Sequence, residues 1–146
     1  MPSEFACEVL TPYRRFFSGK VSSVAFTTVD GEMEILADHE PIVAPVRVGV
    51  LRIRGPQIDK VAAVSEGFVR SRRGKVDLFV EAAEWPEEID RERAEQALGR
   101  ATKRLATETL SWKIDESRRA AARAQNRLAV VAGESSPPPP VSVQWE

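Results

Sequence analysis

Few side chains in this chain of 146 residues are equipped for chemistry, and most of those are arginines. There is one histidine, His39, and one cysteine, Cys7. A nucleophile with its base, a histidine metal site or a cysteine cluster each needs more of these residues than the chain holds. No glycine-rich run ends in Gly-Lys-Ser or Gly-Lys-Thr, and no helix pattern pairs histidines around a glutamate. The adjacent acids Glu87 and Glu88, like Asp115 and Glu116, fall at helix starts, where they complement the dipole without a catalytic role. His39 sits at a polar loop tip, Asp38-His39-Glu40, with no second histidine placed to work with it.

The arginines remain. Asp90, Arg93 and Arg100 open one helical pattern, and Arg118, Arg119, Arg123 and Arg127 run along a second. Guanidinium forks match phosphate oxygens, so the set suits an anionic ligand. It equally suits an ordinary helix in which Asp90 caps the N-terminus and Arg93 and Arg100, seven apart, share a solvated face. Arg119, Arg123 and Arg127 recur every four residues with no nearby acid after Glu116, so they repel one another unless something else supplies negative charge.

The elements that would carry these residues divide the chain in three. Residues 1–85 read as short strands between glycine-bearing turns: Ser18-Gly19, Asp30-Gly31, Gly55-Pro56, Glu66-Gly67 and Arg73-Gly74. Many short strands at that spacing predict an antiparallel β-sandwich. Phe5, Cys7 and Val9 alternate with polar neighbours as one core strand, and Leu51 and Ile53 alternate with Arg52 and Arg54 as another with one wet face. Pro41 and Pro45 bracket Ile42 to Ala44, which places that run at an edge or bulge. Val76, Leu78 and Val80 face one way; Lys75, Asp77 and Glu81 face the other, with Phe79 an aromatic on the polar side.

Residues 86–131 read as an antiparallel two-helix hairpin. Ala94, Ala97, Leu98, Ala101 and Leu105 form one narrow stripe, and Ile114, Ala121 and Leu128 recur at sevenfold spacing in the next helix, with Ser117, Ala124 and Val131 between them. Alanine seams bury little area each, so this hairpin needs a surface to lean on. Residues 132–146 contain four consecutive prolines and read as a disordered tail without a core.

Composition narrows the function. The formal net charge is −1, so no global field draws in nucleic acid or anionic lipid. A lone cysteine excludes an internal disulfide. No stretch approaches the roughly 20 apolar residues of a membrane helix, and no basic start leads into an apolar run. The chain is expected neither to span a membrane nor to carry an export signal.

Gly31, Ile35, His39 two before Pro41, and then Gly49-Val50-Leu51-Arg52-Ile53 make one block of spaced matches. It continues through Val64-Ser65-Glu66-Gly67-Phe68, Lys75 to Ala83, and Glu84 with Ile89, Asp90, Arg93 and Ala94. In this order the chain, from Phe5 to about Val131, closely resembles the epsilon subunit of the F-type ATP synthase. Glu34 departs from it, standing where that family usually has a glycine.

The resemblance implies a non-catalytic rotor subunit of the central stalk that couples proton translocation to ATP synthesis. Its sandwich would bind the gamma subunit and sit on the ring of c subunits, with Glu32, His39 and Glu40 facing that ring. The hairpin would restrain ATP hydrolysis by pressing Arg118, Arg119 and Arg123 against acidic segments of the alpha and beta subunits. No cofactor is required. A regulatory ATP would lie between hairpin and sandwich on Glu84, Ile89, Asp90, Arg93, Ala94, Arg100, Arg123 and Arg127, where Asp90 would accept a hydrogen bond from the adenine amino group or ribose. Such subunits lie peripherally on the cytoplasmic face of the bacterial plasma membrane. A free-standing ATP-responsive binding module is the alternative reading, and an independent nucleotide hydrolase is a third.

Overall fold

Turn glycines break the first part of the chain into strands that can bury an apolar face only by pairing and stacking. The computed structural model describes residues 4–133, in which these strands are β1 (Phe5–Leu10), β2 (Arg15–Val21), β3 (Ser23–Thr28), β4 (Gly31–Leu36) and β5 (Ile42–Val46). They continue as β6 (Gly49–Gly55), β7 (Ile58–Val64), β8 (Gly67–Arg72), β9 (Lys75–Val80) and β10 (Ala83–Glu84). Two sheets result, ordered β2-β1-β9-β8-β5 and β10-β7-β6-β3-β4. A 3-10 turn, Pro86–Glu88, leads to α1 (Arg91–Thr107) and α2 (Ser111–Val131), so the chain has the expected α+β plan of sandwich then hairpin. Every described pairing is antiparallel except one: β1 runs parallel to β9, with Ala6 opposite Lys75 and Leu10 opposite Phe79.

The punctuation acts where the sequence places it. Gly31 and Gly74 adopt φ of 114° and 73° at the turns before β4 and β9, a region open to glycine at little cost. β5 is the outer strand of its sheet, where Pro45 opposite Phe68 removes no needed ladder bond. Glu34 pairs with Ala25 in the middle of β4 and is not among the residues with positive φ, so its strand tolerates the missing glycine. Asp38, in the following loop, is the described non-glycine residue with positive φ, at 66°.

Inward residues of both sheets form the main core, with Phe5, Cys7, Val9, Phe26, Leu51, Ile53 and Leu78 all buried. Burial, with the nearby Asp77 and Glu8 charges adding to it, pushes the Cys7 thiol up to about 12. Three expectations need physical correction. Asp77 does face outward, yet it is only 2 % exposed, because Arg70 (3.1 Å), Arg72 (3.3 Å) and Lys75 (3.7 Å) close over it. Phe79 is not a lone aromatic; it stacks on Phe68 with ring centroids 4.9 Å apart. The outer face of β6 is wet only at Arg52 and Arg54, since Val50 lies beneath α2 with Ala63 and Val130.

Contacts with the sandwich continue just past residue 85. Trp85 stacks on Phe16 at 4.2 Å, and Glu88 pairs with Arg14, so sandwich contacts run through the 3-10 turn. Asp90 caps α1 as anticipated, its carboxylate accepting the Arg93 amide at 3.1 Å. α2 begins at Ser111. Ala94, Ala101, Ser117, Ala121 and Ala124 are buried, whereas Ile114, Leu128 and Val131 stay half-buried. The proline run and Trp145 lie outside the described residues.

Candidate functional site

α2 lies against β6 and β7, where Val130 packs with Val50 and Ala63, and the polar residues on its sandwich side meet fixed partners. Arg123 Nη1 is 3.3 Å from Glu66 Oε1, and Arg127 Nε donates to Glu84 Oε1 at 2.6 Å. Asn126 donates to the carbonyl of Gly49 at 2.7 Å. The negative charge that the arginine repeat requires therefore comes from the sandwich. Arg118 pairs with Asp115 at 3.6 Å, and Arg119 is exposed.

Between the start of α1 and α2 lies a cleft of roughly 540 Å³, within the range of small-ligand sites. Glu84, Ile89, Asp90, Arg93, Ala94, Arg100 and Arg127 all line it, so the fold gathers every residue of the anticipated nucleotide set except Arg123. Arg123 faces the neighbouring small cavity, which it shares with Glu84 and Arg127. Arg93 and Arg100 are exposed, Ala94 is buried, and Ile89 packs beside Val130. Arginines from two helices thus line one space, and the Asp90 carboxylate beside them already accepts a backbone amide.

Sequence reasoning missed the wall opposite. Glu88 lines the cleft, and its carboxylate takes both a 2.9 Å bond from Arg14 Nη2 to each oxygen and a 3.0 Å bond from the Trp85 amide. The Arg14 hydrogen bond, followed by that of the Trp85 amide, holds the Glu88 carboxyl below the usual glutamate value, and Arg14 is raised in turn by the same bond. Arg14 also donates to the carbonyl of Ala83 at 3.3 Å. This clasp fixes the turn that delivers Glu84, Ile89 and Asp90. A Glu88 four residues past Glu84 was visible in the sequence, but Arg14 lies 74 residues away.

Glu32, His39 and Glu40 are not brought to one place. Glu32 is exposed near the β3–β4 turn, while His39 follows the far end of β4, separated by four residues of strand, roughly 13 Å at 3.3 Å per residue. Both ring nitrogens of His39 meet carbonyl oxygens, Leu36 at 2.9 Å and Arg72 at 2.7 Å, and the ring abuts Phe5 edge-on at 5.1 Å. The carbonyl of Glu40 accepts from Ser71 at 2.8 Å. Both partners are acceptors, so a neutral ring donates to one of them, and the Nε2–Arg72 contact links the His39 loop to β8.

The fold is thus a two-sheet sandwich carrying a docked helical hairpin, with arginines of the second helix turned into the joint. Residues 4–86 match the family of the ATP synthase Delta/Epsilon chain, beta-sandwich domain. The chain is 42 % identical over 126 residues to the ATP synthase epsilon chain of Caldicellulosiruptor bescii, covering 86 % of this chain and 92 % of that one. It is 45 % identical over 125 residues to that of Ruminiclostridium cellulolyticum, covering 86 % and 93 %. A chain of the Euglena gracilis mitochondrial ATP synthase, solved as an OSCP/F1/c-ring assembly, shares the fold with a TM-score of 0.74 at 22 % identity, over 91 % of this chain and 82 % of that chain. The chain belongs to the ATP synthase epsilon-chain family.

Proposed function

We propose that this protein is the non-catalytic rotor subunit of an ATP synthase, carried peripherally on the cytoplasmic face of a bacterial plasma membrane. Its sandwich binds the gamma subunit and seats on the c ring, transmitting torque between proton translocation and ATP synthesis. Of the two ends of β4, the β3–β4 turn with exposed Val29 and Glu32 suits the ring, since the His39 nitrogens are already engaged internally.

The hairpin is the regulatory part. The observation that carries this reading is how α2 is held: two partly exposed ion pairs, one buried amide and one valine packed with Val50 and Ala63. Exposed ion pairs contribute about 0–1 kcal/mol each, so docking is marginal and responsive. ATP in the cleft would bridge Arg93 and Arg100 on α1 to Arg127 on α2 and favour the docked state. Released, the helix offers Arg118, Arg119 and Arg123 to acidic segments of alpha and beta, and restrains hydrolysis.

The test is assembly of the full chain with gamma and the c ring, followed by ATP hydrolysis by the catalytic complex with and without the hairpin. Copurification and slower hydrolysis only with the hairpin support the reading. Failure to copurify, or equal hydrolysis in both, sinks it.

A further inference from the structure

α2 meets the sandwich through Val130, packed with Val50 and Ala63, and through three polar side chains, Arg123, Asn126 and Arg127. Of the three polar ones, Asn126 is the one that is buried. Asn126 is 2 % exposed, and its Nδ2 donates to the carbonyl of Gly49 on β6 at 2.7 Å and, more weakly, to that of Val64 on β7 at 3.5 Å. Gly49 and Val64 are directly paired in the β6–β7 ladder, so a single amide reads one rung of the sheet. Its neighbours on the helix are Arg123 and Arg127. Whether they reach Glu66 and Glu84 depends on where that rung holds the helix.

The other half of the amide is unusual. Asn126 Oδ1 is buried and has no hydrogen-bond partner among the protein atoms. A cavity of about 20 Å³ adjoins it, lined also by Ser65, Ala82 and the two arginines, and on this measure about 10–15 Å³ admits one water. A buried acceptor left unsatisfied opposes docking, whereas a bridged one does not.

We propose that Asn126 is the positioning residue that sets where α2 docks on the sandwich, and that one ordered water in the adjoining cavity, bonded to Asn126 Oδ1, completes the contact. The inference goes beyond the nucleotide reading and does not depend on it, because it concerns the docked hairpin without ligand.

The experiment uses the full chain without nucleotide, spin-labelled at Glu34→Cys on exposed β4 and Lys103→Cys on exposed α1. Cys7 stays unlabelled, being buried with its thiol pushed up to about 12. Pulsed electron-spin distances should show a single narrow docked population. Asn126→Leu, close in volume but apolar, should raise the undocked population at least tenfold, and Asn126→Ala should do the same. A role in packing alone would let leucine dock as well as asparagine, so an unchanged or narrower distribution in Asn126→Leu overturns the proposal. A persistent water cross-peak to the Asn126 side-chain amide by NMR is expected. Its absence in a docked chain overturns the water.

Discussion

Arg127 Nε lies 2.6 Å from Glu84 Oε1, so the guanidinium best placed to meet a phosphate in the cleft already holds a carboxylate. A phosphate reaching Arg127 would have to displace or share that contact, whereas Arg93 is exposed at the cleft wall. Arg93→Ala and Arg127→Ala should each weaken ATP binding by about 1.5–3 kcal/mol, the usual worth of a charge-assisted hydrogen bond. Calorimetry on the full chain measures it. No heat of binding at millimolar ATP would reduce Asp90 to a helix cap and the arginines to partners of the sandwich.

Separability of sandwich and hairpin depends on where the cut falls. A fragment ending at Glu88 retains the Trp85–Phe16 stack and the Arg14–Glu88 clasp and should unfold in one cooperative transition. A fragment ending at Trp85 loses the clasp and should melt earlier. If the longer fragment shows no cooperative transition by calorimetry, hairpin and sandwich are one indivisible unit.

Glu88 gives the fold an acid-sensitive joint. Its carboxyl is held below its ordinary value of about 4.3, chiefly by the Arg14 hydrogen bond. A carboxyl whose folded value is depressed contributes stability that is complete above the unfolded value and is lost as pH falls through the folded one. The clasp should thus survive at neutral pH and open only as pH falls past the ordinary glutamate range. NMR titration of the Glu88 carboxyl should find a depressed midpoint that Arg14→Ala moves back up. An equal midpoint in both proteins would remove Arg14 as the cause.

Local signals carried most of the architecture, and long-range ones did not. Glycine turns, the prolines around β5 and the alternation in β1 and β9 could be read because each acts within a few residues. The parallel pairing of β1 with β9, the Arg14–Glu88 clasp and the cover over Asp77 depend on residues brought together only by the closed sandwich. The cleft set was readable because its α1 and strand-end residues lie within one turn region, from Glu84 to Arg100, and family resemblance supplied Arg127. Asn126 was passed over because an amide between two arginines looks like a wet helix face until the sheet beneath it is known. The arginine repeat showed that negative charge was needed, but could not say that Glu66 and Glu84 provide it.

The basic residues of α2 should separate into two kinds when hydrolysis is measured in the assembled complex. Replacing Arg118, Arg119 and Arg123 together by alanine should relieve inhibition, with synthesis changing less. Arg119→Ala alone should relieve it too, since that side chain is exposed. Arg123→Ala alone removes the 3.3 Å tie to Glu66 and should also loosen docking, so it should relieve less than Arg119→Ala or deepen inhibition. Salt should mimic the triple replacement in part, because exposed charges are screened over about 8–10 Å. Equal inhibition by wild type and triple variant would mean a steric restraint.

Asp77 is the buried centre of the outer charge cluster, while Arg70 and Arg72 around it remain half-exposed at 45 % and 53 %. On its loss the cations can turn to water, so Asp77→Asn should cost about 1–3 kcal/mol and not the larger amount expected for a stranded buried charge. Denaturant unfolding followed by tryptophan fluorescence measures this. No change in midpoint would make the cluster ornamental to stability.

The parallel pairing of the first strand beside the ninth sets an order of events during synthesis. As the chain leaves the ribosome, β1 can zip only to β2, and one edge of that ribbon stays bare until Lys75 to Phe79 emerges to lie against it. The loop closed in that step is long, so closure is slow compared with the neighbouring hairpins, each of which needs only a short turn. During that interval the growing chain presents an apolar strand edge open to wrong partners. Because α2 docks on β6 and β7, whose other face is buried in the sandwich, that helix finds its seat only after this late strand arrives. The hairpin is therefore assembled last, on a platform completed just before it.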